Sequence, residues 1–168
     1  LSKDPQAYAD FDADTIADLR TSLESFLDGV LESDDADYRR FFLADEVFLN
    51  DRLAGLYGIE SPGEGFQGVR LDPGKRAGIL THPYLMAMLA HARESSPIHR
   101  GVFLVRGVMG QSLRPPPVAV SPLAPDLHPG LTTRVRVALQ TKPAECMTCH
   151  QIINPLGFTL EHFDAVGR

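Results

Sequence analysis

Apolar side chains recur every three or four residues in the first part of the chain, which is the periodicity of an amphipathic helix. The repeating apolar positions are Ile16, Leu19, Leu23, Phe26, Leu27, Val30 and Leu31. Asp12 or Asp14 can cap the N-terminus of this helix, because a carboxylate accepts hydrogen bonds from the unpaired N–H groups there. The pattern predicts a helix that begins after one of these residues and ends at the polar run beginning with Ser33.

Two more helices are predicted before the middle of the chain, at residues 38–43 and about 49–56. Gly58 is placed to end the second one, since glycine readily adopts the left-handed conformation that follows many helices. Residues 60–76 are then rich in Gly and Pro, a composition typical of turns and loops. We therefore expect a helical domain at 1–59 that completes a larger one, a Gly/Pro-rich linker at 60–75, and a second module at 76–168.

In the second module, each predicted helix begins at a Ser or Thr that is closely followed by proline or by an apolar run. These start signals are Thr81 with Pro83, Ser96 with Pro97, and Thr132 or Thr133. The proline-rich stretch at 114–129 predicts an extended, semi-rigid segment. No stretch alternates polar and apolar residues over several positions as a strand does. The fold class predicted is all-α, mostly helical with long Pro/Gly-rich loops.

The run Cys146-Met147-Thr148-Cys149-His150 reads C-x-x-C-H, which is the attachment signature of a c-type haem. Two thiols three residues apart lie on one side of a helical turn, where they can form thioether bonds to the two vinyl groups of one porphyrin. His150 then lies under the iron, and its imidazole can be the proximal ligand. The motif predicts one covalently bound haem c, and the second module is expected to be a partial class I-like cytochrome c module.

Other readings of the cysteine pair stay open: half of a zinc site, a redox dithiol, or a disulfide. A four-ligand zinc site needs two further Cys or His ligands, and both cysteines of the chain already belong to this motif. A thioredoxin-like pair follows a buried strand and opens a helix, whereas the segment before Cys146 is predicted to be helix plus loop. Haem attachment is the favoured interpretation.

Bulk composition narrows the functional class. The chain is 43% hydrophobic and 23% charged, as in ordinary soluble proteins. Its net charge of −6 argues against nucleic acid as a partner. No apolar stretch approaches the roughly 20 residues of a membrane-spanning helix. Haem c attachment implies a periplasmic or extracellular bacterial location. Since the polar start holds no signal peptide, we expect a removed signal or an internal piece of a longer protein.

The residues after the motif resemble parts of small c-type cytochromes. Pro155 resembles the proline whose carbonyl accepts the Nδ1–H of the proximal imidazole, a bond that would fix the ring. Leu156 and Phe158 would pack on the porphyrin and exclude water, and both are also ordinary core residues. Only 18 residues follow His150, whereas the distal half of such a cytochrome comes well downstream of the motif. The module is therefore expected to be truncated.

The sixth iron ligand and the propionate partners are less determined by the sequence. Met109 and His82 rank first as sixth ligands, while other Met or His residues, a ligand beyond Arg168, and an open site remain alternatives. Arg100 and Arg114 can pair with the anionic propionates, because a guanidinium offers a planar fork for carboxylates. Ordinary surface solvation is the alternative for both arginines.

Several ordered landmarks resemble the cytochrome-bearing C-terminal region of large secreted multidomain haem proteins of planctomycetes and related bacteria, whose domains are of unknown function. The matching runs are Phe48-Leu49-Asn50-Asp51-Arg52-Leu53-Ala54, Tyr57-Gly58-Ile59, Arg76-Ala77-Gly78-Ile79-Leu80-Thr81-His82, Ser96-Pro97-Ile98-His99-Arg100-Gly101, Cys146 to His150, Asn154-Pro155-Leu156-Gly157-Phe158 and Leu160-Glu161-His162-Phe163-Asp164-Ala165-Val166-Gly167. The resemblance covers nearly all of the chain. It implies a helical domain followed by a c-type cytochrome module.

The leading functional hypothesis is single-electron transfer through one haem, for an extracytoplasmic redox partner protein or a fused oxidoreductase module. A haem enzyme with an open distal site, acting on peroxide or oxygen, is the first alternative. A haem-stabilised interaction or scaffold module is the second. The sequence leaves open whether the chain forms homo- or hetero-oligomers.

Overall fold

The structure, a computed structural model, describes residues 1–35, 37–114 and 130–168. Its α-helices are α1 (Ala13–Leu31), α2 (Arg40–Leu43), α3 (Asp51–Tyr57), α4 (Pro83–Met88), α5 (Pro97–Phe103), α6 (Thr133–Gln140) and α7 (Ala144–Phe158). Its strands are β1 (Glu46–Leu49) and β2 (Gln67–Arg70). A 3-10 turn at Ile79–Thr81 precedes α4, and a π-helical segment at Leu104–Val108 extends α5. The predicted extended segment after Arg114 lies outside the described residues.

Helix α1 follows the apolar periodicity of the sequence. Asp12 is its N-cap, and its carboxylate accepts a hydrogen bond from the N–H of Thr15 at 2.8 Å. Leu19, Phe26 and Val30 on one face are buried. The predicted amphipathic helix and its cap are confirmed.

Strands β1 and β2 form a small antiparallel sheet in which Val47 pairs with Val69 and Leu49 with Gln67. The mostly helical prediction is confirmed, but the all-α class is wrong in this detail. In β1 only Val47 and Leu49 alternate into the core, too short a pattern to stand out in the sequence. The predicted third helix also began too early, because Asn50 caps α3 and the preceding residues are strand.

Capping residues set most of the remaining boundaries. Gly58 ends α3 with a positive φ of 68°, as predicted. Ser96 caps α5 and Thr132 caps α6 through their hydroxyl groups. Helix α4 is capped by His82, whose Nδ1 accepts from the N–H of Tyr84, and not by the predicted Thr81.

Two hydrophobic clusters hold the helices together. The first combines residues of α1, β1, α3 and α4 with Val166 near the end of the chain. The second joins α4 and Leu104 to Leu160 and Phe163, which follow α7. Side chains from 1–59 and from 76–168 therefore share a core. Among the described helices, none has the length and apolar character needed to cross a membrane.

Arg76 fixes the C-terminal turn onto this core. Its guanidinium lies 5.0 Å from the ring centroid of Tyr57 and 4.7 Å from that of Phe163. It donates to the carbonyl oxygens of Thr81 at 3.0 Å and Gly167 at 2.6 Å. Cation–π contact and hydrogen bonding together place the residues after α7 against α4.

Candidate functional site

The C-x-x-C-H motif lies within the first two turns of α7. Cys146, Cys149 and His150 are spaced three and four residues apart, so they share one face of the helix. Both cysteines are free thiols and partly exposed. The two sulfur atoms and the imidazole are thus carried by one rigid element, on the same side, as covalent attachment of a single haem requires.

His150 is oriented by the next turn of α7. Its Nδ1 lies 2.9 Å from Oδ1 of Asn154. Nδ2 of Asn154 donates to Oγ1 of Thr141 at 2.8 Å, and Thr141 in turn donates to the carbonyl of Val137 at 2.8 Å. A metal-binding histidine usually has its other ring nitrogen held by such a partner. This part of the structure therefore fits a histidine that binds iron through Nε2.

The predicted partner of Nδ1 differs from the observed one. Pro155 lies inside α7 and is exposed, and the side chain of Asn154 takes the position at Nδ1 that the sequence assigned to the Pro155 carbonyl. Asn154 is 7% exposed and follows His150 by four residues. The i,i+4 spacing on a helix was a readable signal for this pair, which the sequence argument missed.

Helices α5 and α7 cross at two glycines. A Cβ at Gly157 would overlap the carbonyl oxygen of Pro97, and a Cβ at Gly101 would overlap that of Ile153. Only hydrogen side chains permit this backbone approach. The crossing holds the C-terminal half of α7 against α5. It thereby also sets the orientation of the motif, which lies in the N-terminal half of the same helix.

Arg100, predicted as a propionate partner, is completely buried behind α7. Its Nη1 donates to the carbonyls of Leu160 and Phe163, both at 2.7 Å, and its Nη2 to that of Asp164 at 2.7 Å. Its Nη1 also pairs with the Glu161 carboxylate at 3.0 Å. The guanidinium is thus committed to the turn that follows α7, and its assignment as a propionate partner stays a prediction.

The second arginine proposed for a propionate, Arg114, is exposed at the edge of the described residues. Its assignment stays a prediction. A third arginine, Arg134 of α6, lies at the end of α7. It donates to the carbonyl of Phe158 at 2.8 Å, and its guanidinium lies 4.8 Å from the centroid of the Phe158 ring. Phe158 is thus half-buried beneath a guanidinium, while Leu156 packs on the second hydrophobic cluster.

The two candidates for the sixth ligand have different surroundings. His82 is buried, and both ring nitrogens are engaged, Nδ1 by the Tyr84 N–H and Nε2 by the hydroxyl of Ser22 at 3.2 Å. Iron binding at His82 would break one of these bonds. Met109 follows the π-helical segment that contacts α7, and its side chain is 49% exposed. His82 is thus already bonded at both ring nitrogens whereas Met109 is partly exposed, and both stay predictions as sixth ligands.

Exposed apolar side chains occur on α7, on α6, and on the segment 104–108 together with Met109; both α6 and this segment contact α7. These exposed side chains are Val108, Met109, Val135, Leu139, Met147 and Ile152. A porphyrin is a large apolar group, and exposed apolar side chains of this kind are candidates for contact with it.

A zinc site finds no such support. In residues 1–35, 37–114 and 130–168, no group of three His, Cys, Asp or Glu side chains is arranged to hold a metal ion. A four-ligand site built on Cys146 and Cys149 would need its other ligands from residues outside these ranges.

Comparison with known proteins gives a family without an established activity. No curated protein and no solved structure matches the chain significantly. Residues 1–59 match the model of PSD4, a protein of unknown function (DUF1592). Residues 76–168 match the model of PSCyt3, also described as a protein of unknown function (DUF1588). Both families are found in planctomycete-type proteins that contain cytochrome c. Because the second match covers more than half of the chain, the protein belongs to the PSCyt3 family.

Proposed function

We propose that this chain is the haem-bearing part of an exported c-type cytochrome that transfers single electrons. Cys146 and Cys149 would hold one haem through thioether bonds, and His150 would be the proximal ligand of its iron. When bound, the haem supplies a one-electron couple. The observation that carries the proposal is the arrangement on α7: two free, half-exposed thiols one turn apart, beside an imidazole whose Nδ1 is already held by Asn154.

The chain's own residues have defined tasks in this proposal. Asn154 orients the imidazole of His150, and the close packing at Gly101 and Gly157 holds α7 against α5. Exposed apolar side chains such as Leu139 would exclude water, which raises the reduction potential of an iron centre. Met109 is the proposed sixth ligand, and a thioether there would also favour a high potential. A rigid site of this kind suits electron transfer, because little has to rearrange.

The partner and location proposed follow from the covalent haem. Thioether attachment is an extracytoplasmic modification, so we place the protein in the periplasm or outside the cell. Its electrons would pass to or from a redox partner protein, or a module fused to this chain in a longer polypeptide.

The test is a set of absorption spectra of the full chain, expressed in a host that attaches haem c. Spectra are recorded oxidised, reduced, and reduced with CO. A sharp reduced α-band that CO does not change supports a six-coordinate electron carrier. A CO-shifted spectrum would contradict it and favour the haem-enzyme alternative with an open distal site. Absence of any haem band would overturn both and leave the dithiol.

A further inference from the structure

The hydrogen-bond chain behind His150 has a direction that its chemistry determines. The hydroxyl of Thr141 has one hydrogen, and it donates this to the carbonyl of Val137, which can only accept. Thr141 must therefore accept from Asn154, and only the amide nitrogen of Asn154 can donate. The network accordingly assigns Nδ2 of Asn154 to Thr141 and Oδ1 to His150.

This direction determines which ring nitrogen of His150 carries a proton. Oδ1 of an amide is only an acceptor, so Nδ1 of His150 has to be the donor across the 2.9 Å contact. In a neutral imidazole the proton on Nδ1 leaves Nε2 with its lone pair. That lone pair is what an iron ion binds.

The chain is well shielded from water. Thr141 is 4% exposed and Asn154 is 7% exposed. Water therefore has little access to the amide. A rotation of the amide by 180° would place its oxygen against the Thr141 hydroxyl, whose single hydrogen is already donated to Val137, and its NH₂ group against the imidazole. The backbone carbonyl of Val137 in α6 thus sets the tautomer of a ring on α7, three hydrogen bonds away.

We propose that Asn154 is a positioning residue, which holds His150 in the Nδ1-protonated tautomer before iron binds, and that Thr141 sets the orientation of Asn154. The role in iron ligation rests on the proposed haem function. The tautomer itself is a property of the chain and can be measured in the haem-free form, where iron does not occupy Nε2.

Thr141→Ser and Thr141→Val form the sharpest pair of variants. Serine keeps the hydroxyl, whereas valine has nearly the same shape as threonine and lacks the hydroxyl. The side chain at position 141 bonds to Asn154 and to the carbonyl of Val137. A merely structural role for Thr141 would not change the tautomer of a ring on another helix, so the valine variant separates positioning from packing. Asn154→Leu removes the direct partner, and Gln151→Leu, at an exposed position of α7, is the control.

The experiment is nitrogen-15 NMR of the His150 ring in the full chain without attached haem, where Nε2 is free to carry the proton, combined with the midpoint potential of the haem-bearing form. His150→Gln assigns the ring signals, and circular dichroism confirms that each variant folds. We expect the Nδ1–H form alone in the parent, Thr141→Ser and Gln151→Leu chains, and a mixture of tautomers in Asn154→Leu and Thr141→Val. The potential should rise in the latter two, because a weaker hydrogen bond at Nδ1 makes His150 a poorer electron donor.

The outcomes distinguish this inference from the proposed function. A pure Nδ1–H tautomer and an unchanged potential in folded Asn154→Leu would overturn the positioning role while leaving the cytochrome intact. A chain that takes up no haem but still shows the tautomer lock, lost in Thr141→Val, would overturn the proposed function and support the positioning role.

Discussion

His82 makes the stability of the fold depend on pH in a way that can be calculated. The residue is 4% exposed and lies between α1 and α4, with its ring nitrogens engaged by Ser22 and by the N–H of Tyr84. Burial, with a smaller contribution from the positive charge of Arg76, lowers the pKa of His82 to about 3. The folded protein therefore keeps this ring neutral.

The sign of the effect follows from proton linkage. A histidine in the unfolded chain has a pKa of about 6.5, so below that pH the unfolded state binds a proton that the folded state does not. The contribution of His82 is complete above the unfolded pKa and is lost as the pH falls from about 6.5 toward 3. At pH 5, protonation of His82 in the unfolded chain raises the unfolding equilibrium constant by a factor of about 30. The free energy of unfolding therefore falls by about 2 kcal/mol. Any folded pKa below about 4 gives nearly the same loss.

The assay is urea unfolding at about pH 7.5 and pH 5, on the parent chain and on His82→Asn. Asparagine retains an oxygen that can cap α4 and does not titrate, so the comparison cancels the titration of all other groups. We expect the free energy of unfolding to fall by about 2 kcal/mol more in the parent than in the variant. Equal losses in the two chains would refute the reasoning, because His82 would then titrate alike in the folded and unfolded states.

Three further predictions concern the site and its support. Gly157→Ala should lower the free energy of unfolding by about 3 kcal/mol or more, because the added methyl group meets a backbone carbonyl of α5. The control Gly55→Ala, at a position in α3 with open space around it, should be neutral or slightly stabilising in the same denaturation assay. Arg100→Met should cost about 3–5 kcal/mol, because it strands three backbone carbonyls and a carboxylate; a change below 1 kcal/mol in thermal unfolding would contradict the buried clamp. Met109→Leu should make the reduced spectrum of the haem-bearing chain sensitive to CO, and an insensitive spectrum would show that another residue is the sixth ligand.

Local signals in the sequence were sufficient for the parts of the fold that depend on local contacts. Asp12 caps α1 and Ser96 caps α5 through side chains that bond to an N–H three residues away. Such bonds need only the residue type and its position before an apolar run. The left-handed turn at Gly58 was readable for the same reason.

The parts that the sequence did not predict depend on distant partners. Strand β1 is a strand because Val47 pairs with Val69, more than 20 residues away in the chain. Arg100 looks like a surface residue in the sequence, and its burial follows from carbonyls some 60 residues later. At the candidate site the motif and the His150–Asn154 pair are local, but the position of Thr141 behind them depends on how α6 meets α7.

Covalent attachment of haem to Cys146 and Cys149 is the central claim, and mass spectrometry of the denatured chain tests it most directly. The full chain is expressed with the machinery for haem c maturation, beside a variant carrying both Cys146→Ala and Cys149→Ala. We expect the denatured parent to retain the mass of one haem and the double variant to retain none. A denatured parent chain without added mass, from a host that loads a known c-type cytochrome in parallel, would contradict it.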